Sequence, residues 1–142
     1  MTVHKAIEQA YHVKAGDFVS AGEVSGRLKK LLKQLGVDPT ITRRAAIAGY
    51  EAELNMVIHS FGGEMSFSVS PTDICIITRD KGPGIPDIDL AMTEGYSTAP
   101  EKAREMGFGA GMGLPNIKRC ADEIEIDSTV GQGTRLKIII RI

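Results

Sequence analysis

The 142-residue sequence contains no tryptophan, only two cysteines, and so few aromatic residues that they make up 5% of the chain. Cys75 and Cys120 do not have the spacing of a metal-binding pair, so we expect no zinc site and no disulfide. No apolar run approaches the roughly 18 residues of a membrane span. The first residues also lack the order of a signal peptide. These absences favour a reducing, cytoplasmic location.

An excess of charge of one sign is also missing. The chain has 17 basic and 18 acidic residues and a formal net charge of −1, without the basic surplus of a nucleic-acid binder. Hydrophobic residues make up 42% and charged residues 25%, as in an ordinary folded protein. We therefore expect a single domain over residues 1–142 that binds neither nucleic acid nor a membrane.

Apolar spacing predicts two consecutive helices in the first half of the chain. A helix is predicted over residues 20–35, with its lysines and arginine on the other faces and one apolar stripe of Val24, Leu28, Leu31, Leu32 and Leu35. A second helix is predicted over residues 39–60, with Asp38 as its N-cap and a proline at its first position. Before them, residues 1–9 are predicted to be a tail or a short edge element, and residues 11–18 a weak strand.

The second half of the chain has the pattern of strands and one short helix around a glycine-rich loop. Strands are predicted at residues 65–69, 74–77, 123–126 and 136–140, and a helix at residues 114–121. A loop over residues 79–113 is long for a compact domain, and such loops are usually functional. The order predicts a two-layer α/β sandwich, with a mixed, mostly antiparallel sheet and helices on one face.

Glu51 and Asn55 are the first candidate site residues. They are four residues apart on the second helix and therefore share a face. Glu51 also falls on an apolar stripe with Ile47, Leu54 and Ile58. Because burying an unpaired carboxylate is costly, we expect Glu51 to lie at the edge of the stripe or to face a polar cavity. The amide could ligate a hard cation and the carboxylate could deprotonate a nucleophile, although an incidental, solvated pair is the alternative.

Glycines accompany the remaining candidates. Asp80 follows an apolar strand, and Gly82 and Gly84 next to it would let backbone approach a flat ring, unless the segment is an ordinary Pro-Gly turn. Residues 107–113 alternate glycine with other residues before a helix N-terminus, which is typical of a phosphate-binding lid or of a flexible linker. Near the end of the chain, Thr134 closes a Gly-Gln-Gly-Thr segment that also reads as a hairpin turn.

Taken together, the order of these motifs resembles the GHKL ATP-binding superfamily of gyrase, Hsp90, histidine kinase and mismatch-repair ATPases. The motifs are E-x-x-x-N on a helix, D-x-G-x-G after a strand, a G-x-G-x-G lid and G-x-G-T before the last strand. The resemblance covers residues 20–142 and implies a Bergerat-type fold. The segments DKGPGIPD, EGYST and GAGMGLP most resemble the bacterial anti-sigma factor serine kinases and the stressosome switch kinase.

The resemblance implies roles for individual residues. Glu51 would be the catalytic base that acts on the substrate hydroxyl, and Asn55 would ligate Mg²⁺ at the phosphates of ATP. Asp80 would bind the adenine amino group, in a pocket that Gly82 and Gly84 shape and Thr134 supports. The lid, expected over residues 93–113, would contact the phosphates through Ser97, Thr98, Gly109, Gly111 and Gly113.

The same resemblance implies partners: a small antagonist or scaffold protein with an acceptor serine or threonine, and in addition a sigma factor or a phosphatase. The oligomeric state stays open. An alternative is a non-catalytic, ATP-dependent binding module, which is favoured by the lack of a lysine or arginine between Gly107 and Gly113. Glu51 favours the kinase instead, and Lys102 or Arg104 upstream could take the place of the missing cation. A histidine kinase core is disfavoured because no helix with a phosphoacceptor precedes the domain.

Overall fold

The computed structural model describes residues 7–92 and 113–142. Within these residues, five strands form one sheet in the order β1-β2-β3-β5-β4. The strands are β1 (Ile7–Val13), β2 (Gly63–Val69), β3 (Asp73–Lys81), β4 (Glu123–Thr129) and β5 (Gly133–Arg141). The helices are α1 (Glu23–Gln34), α2 (Pro39–His59), the single turn α3 (Ile88–Ala91) and α4 (Gly113–Cys120).

Each pairing between neighbouring strands of this sheet is antiparallel. Alternate residues of the three central strands are buried on one face, as expected when only that face is covered. They include Met65, Phe67, Ile74, Ile76, Ile138 and Ile140. The helices pack on this face, since residues of α1, α2 and α4 belong to the same apolar core as these strand residues. The predicted two-layer sandwich is thereby confirmed.

The longest helix, α2, packs on the sheet through a face that differs from the predicted one. Its fully or almost fully buried residues on that side are small or flexible: Ala45, Ala48, Ala52 and Met56. Of the apolar stripe that was predicted on this helix, Leu54 is buried but Ile47 is 39% exposed. Alanine and glycine give a weak hydrophobic signal, although they allow the closest approach of a helix to a sheet. Among the described residues, no helix has the length and apolar content needed to cross a membrane.

The first two elements also begin or end differently from the prediction. Strand β1 covers residues 7–13 and not 11–18, so it includes residues 7–9 of the expected tail or edge element, whereas residues 1–6 lie outside the described part of the chain. An edge strand that is mostly exposed leaves little apolar alternation in the sequence. The chain turns at Gly16, whose φ is +73° and whose N–H donates to the carbonyl of Val57 at 2.8 Å. Leu35, predicted as part of the stripe of the first helix, is 47% exposed at the C-cap of α1.

A buried carboxylate joins the two long helices. The N-cap of α1 is Gly22, with φ 97° and no side-chain cap of its own. Instead, Glu53 of α2 accepts the N–H groups of Gly22 at 3.0 Å, Val24 at 3.2 Å and Ser25 at 2.9 Å. Its side chain is only 2% exposed. Glu53 therefore caps α1 from another helix and satisfies donors that a helix start otherwise leaves to water.

We expect Glu53→Ala to lower the free energy of unfolding by about 2–3 kcal/mol, because it leaves buried N–H donors without an acceptor. Urea denaturation of the purified variant measures this loss. The matched control is Glu23→Ala, which removes an exposed ion pair with Arg27 on the same helix and should change stability by less than about 0.5 kcal/mol. Equal stability of the two variants would contradict the capping role.

Candidate functional site

Asp80 is the second-last residue of strand β3, and glycines there let both neighbouring strands come unusually close. Gly63 of β2 pairs with Asp80, and Gly133 of β5 pairs with Lys81. A Cβ on Gly63 would collide with the carbonyl oxygen of Arg79, and one on Gly133 with that of Asp80. Gly133 also has a φ of +152°. The two glycines therefore hold the backbone at Asp80 between its neighbours, a role that sequence analysis did not assign to them.

The carboxyl group of Asp80 is half-buried. Burial raises its pKa, and the N–H of Thr134, which donates to Oδ1 at 3.2 Å, acts in the opposite direction. Gly82 lies directly beside this group, because a Cβ there would be 3.5 Å from Asp80 Oδ1 and 3.2 Å from the Cα of Ser60. An ionised carboxylate is only an acceptor, so Asp80 suits a ligand that presents an amino group.

Thr134 and Gly84 connect the loop after β3 to the hairpin of β4 and β5. The Thr134 hydroxyl hydrogen-bonds that of Ser128 at 2.8 Å, and Ser128 Oγ accepts the N–H of Ile85 at 2.7 Å. Gly84 has a φ of +75°, and a Cβ there would lie 2.6 Å from the carbonyl oxygen of Thr129. Ser128 was missed by sequence analysis because a lone serine in a strand carries no motif.

Glu51 and Asn55 lie together where α2 meets the start of α4. A Cβ on Gly113 would be 3.1 Å from Asn55 Oδ1 and 3.3 Å from Glu51 Oε2. A side chain at position 113 would therefore crowd both polar groups, which would have to shift by a few tenths of an ångström. Both side chains are half-buried, so Glu51 lies at the margin of the core and not within it, as expected.

The other end of α4 is also fixed to α2. Arg44 Nε donates to the carbonyl oxygen of Cys120 at 2.9 Å, and its Nη2 pairs with Asp122 Oδ1 at 3.3 Å. The backbone N–H of Arg141 also donates to Asp122 and, as the main cause, lowers the pKa of that exposed carboxyl group. Both ends of α4 therefore contact α2, through Gly113 at its start and through Cys120 at its end.

The residues around Asp80 and those around Asn55 lie next to different positions along α2. Gly82 contacts Ser60 just after the helix ends, and Asn55 lies five residues earlier, about 7.5 Å along the helix axis. Glu51 is one further turn away. An elongated ligand could therefore contact Asp80 with one end and Asn55 with the other. Of the predicted lid residues, Gly113 lies in the described part of the chain, whereas Ser97, Thr98, Gly109 and Gly111 lie outside it.

Oxygen donors at the junction of α2 and α4 fit a magnesium ion better than a zinc ion. Asn55 presents a neutral amide oxygen, and the carboxylate of Glu51 is close by. In residues 7–92 and 113–142, no three His, Cys, Asp or Glu side chains form a metal-binding group. Mg²⁺ commonly takes few protein ligands and completes its octahedron with substrate phosphates and water, so a single amide oxygen is compatible with it.

A nucleotide-binding domain of the α/β class accounts for this geometry, and comparison with known proteins gives the family. Residues 43–142 match the model of the histidine kinase-, DNA gyrase B-, and HSP90-like ATPase family, and the chain belongs to this family. The predicted GHKL resemblance is thus confirmed.

Individual relatives carry the names of a protein kinase and of anti-sigma factors. The chain is 31% identical over 127 residues to the serine/threonine-protein kinase RsbT of Bacillus subtilis, covering 87% of each protein. It is 35% identical over 109 residues to an anti-sigma F factor of Thermoanaerobacter, covering 72% of this chain and 73% of that one. Among solved structures, a chain of the SiaB–SiaC complex from Pseudomonas aeruginosa matches with a TM-score of 0.61 at 13% identity, covering 96% of this chain and 90% of that chain. The structural match supports the fold.

We expect Asp80→Asn to weaken ATP binding at least a hundredfold, about 2.7 kcal/mol, because its single amide oxygen would accept the N–H of Thr134 and its NH₂ group would face the adenine amino group, donor against donor. The apo protein should melt at the same temperature or higher. Since the folded state raises the pKa of Asp80, its charge costs stability at neutral pH, and this cost disappears as the pH falls through the raised pKa.

Calorimetric titration and thermal melting measure the two effects. Asp73→Asn, at the opposite end of the same strand, is the matched control and should keep wild-type ATP affinity. Unchanged ATP affinity in Asp80→Asn would show that this carboxylate does not contact the nucleotide.

Proposed function

We propose that the protein is an ATP-dependent serine/threonine kinase that phosphorylates a small partner protein and thereby switches which proteins bind to each other. The observation that carries the proposal is the placement of Glu51 beside Asn55 at the start of α4, with Asp80 beside Gly82 near the C-terminal end of α2. The relative named as a serine/threonine-protein kinase supports this reaction class, and the relatives named as anti-sigma F factors support a protein partner.

ATP would lie along α2. Its adenine amino group would donate to Asp80, with Gly82 and Gly84 leaving room for the ring and the bonded pair Thr134–Ser128 supporting that end. Its phosphates would reach the N-terminus of α4, where backbone N–H groups and the helix dipole favour negative charge. Contacts from Ser97, Thr98, Gly109 and Gly111 stay predictions.

Asn55 would hold Mg²⁺ through its carboxamide oxygen. When bound, the ion would neutralise phosphate charge, which is the main requirement of phosphoryl transfer. The remaining contribution of the chain is to position groups and to accept a proton. Within the described residues, Glu51 has its carboxylate beside Asn55, one helical turn away, and so lies at the phosphate end of the proposed site.

In the transfer step, the hydroxyl oxygen of an acceptor serine or threonine forms a bond to the γ-phosphorus of ATP. The bond from that phosphorus to the β–γ bridging oxygen breaks, and ADP leaves with the electron pair. The proton of the hydroxyl passes to Glu51, which later releases it to water. General-base assistance of this kind contributes typically about 10²–10⁴-fold to the rate.

We propose that the phosphorylated partner is a small antagonist or scaffold protein. The second protein in the switch would be a sigma factor or a phosphatase. The competing hypothesis is a binding module that holds ATP without turnover. Its support is the absence of a lysine or arginine between Gly107 and Gly113 in the sequence. Phosphotransfer by the wild-type protein distinguishes the two hypotheses.

We expect Glu51→Gln to bind ATP within about tenfold of wild type, ~1.4 kcal/mol, and to lose phosphotransfer at least a hundredfold. The glutamine keeps the size of the side chain and removes the proton acceptor. Transfer of ³³P from γ-labelled ATP to proteins of the source organism, followed by phosphoamino acid analysis, should give phosphoserine or phosphothreonine with wild type only.

The control for this variant is Glu23→Gln, an exposed glutamate on α1 that should keep the wild-type rate. Labelling by Glu51→Gln at that same rate would contradict the role of Glu51. An absence of labelling by wild type, despite ATP binding, would favour the binding module.

A further inference from the structure

Glu51 has a hydrogen-bond partner on α4 that none of the motifs includes. Asn116, in the first turn of α4, donates from Nδ2 to Glu51 Oε1 at 3.4 Å. One turn later, Arg119 donates from Nη1 to Asn116 Oδ1 at 3.0 Å. Arg119 and Asn116 therefore form a chain that leads from the exposed surface of α4 to the carboxylate.

The direction of this chain is determined by the chemistry of its ends. A guanidinium group can only donate, and an ionised carboxylate can only accept. The amide oxygen of Asn116 must therefore face Arg119, and its NH₂ group must face Glu51. Because each donor meets an acceptor, the amide has one favourable orientation, and Arg119 polarises it towards Glu51.

The two oxygens of Glu51 consequently have different surroundings. Oε1 accepts from Asn116, whereas Oε2 lies on the side of Gly113, 3.3 Å from the position of a Cβ there. The same Cβ position is 3.1 Å from Asn55 Oδ1, so Oε2 is the oxygen nearer the end of the site assigned to the phosphates. A base has to lie within about 2.6–3.2 Å of the atom whose proton it takes.

We propose that Asn116 is a positioning residue: it binds Oε1 and holds the carboxylate of Glu51 so that Oε2 receives the proton of the attacking hydroxyl. Arg119 in turn fixes the Asn116 amide. This inference rests on the proposed kinase function. A glutamate side chain has three rotatable bonds, and restraining them before the reaction removes an entropic cost from the transition state.

The test uses the full chain, with water in the place of the unidentified acceptor: single-turnover hydrolysis of Mg²⁺–ATP. Asn116→Leu has a similar size and no donor. We expect it to lower the maximal rate about tenfold while the KM and Kd for ATP stay within twofold. Lys118→Leu, an exposed change on the same helix, should keep the wild-type rate. A wild-type rate in Asn116→Leu would overturn the inference.

A second measurement separates positioning from general structural support. In a Glu51→Gln background, Asn116→Leu should cause no further loss of rate, since residues that act as a unit are not additive. The same tenfold loss in both backgrounds would overturn the inference. If Asn116→Leu does not fold, Asn116→Asp keeps the shape, removes the donor and should show the same non-additive loss.

NMR provides a readout that does not depend on turnover. The side-chain amide protons of Asn116 should shift between the wild-type protein and Glu51→Gln, because the carboxylate that they bind becomes neutral. Unchanged amide resonances would overturn the inference. A wild-type protein that binds ATP but never hydrolyses or transfers phosphate would overturn both proposals, whereas turnover that keeps its wild-type rate in Asn116→Leu would overturn only this one.

Discussion

The close packing of α2 on the sheet is the constraint on which the rest of the structure depends. Alanines bring this helix near the strands, and its other sides then meet α1 and α4. Successive residues of a helix differ by about 100° in direction, so Glu53 points almost opposite to Glu51 and Asn55. One short segment therefore supplies a buried cap for α1 and, on the other side, the polar groups of the site.

The same architecture keeps a half-buried carboxyl group and two strand glycines at the candidate site, although both are unfavourable for stability. Asp80 keeps a carboxyl group in a half-buried position that raises its pKa, between two strands that only glycine allows to approach so closely. Local rules are commonly broken at functional sites and compensated elsewhere. Here the compensation includes the core of β2, β3 and β5 and the three backbone hydrogen bonds of Glu53.

Structural features that depend on local motifs or strong periodicity could be predicted from the sequence, whereas contacts between distant segments could not. The N-cap Asp38, the apolar strand β3 and the order of the GHKL motifs are local features, and the fold class and family that they indicate are confirmed. Glu53 and Asn116 were missed because the partners that give them their roles, the start of α1 and Glu51 respectively, lie 28 or more residues away. The roles of Glu51, Asn55 and Asp80 stay predictions, now with a geometry that suits them.

The central claim is that one nucleotide lies along α2, with its adenine at Asp80 and its phosphates at Asn55 and Gly113. The most direct test is calorimetric titration of the wild-type protein with ATP and with inosine 5′-triphosphate, which has a carbonyl oxygen in place of the amino group, each with and without Mg²⁺. The account predicts ATP binding that Mg²⁺ strengthens, and at least about hundredfold weaker binding of inosine triphosphate. Equal affinity for both nucleotides would contradict it.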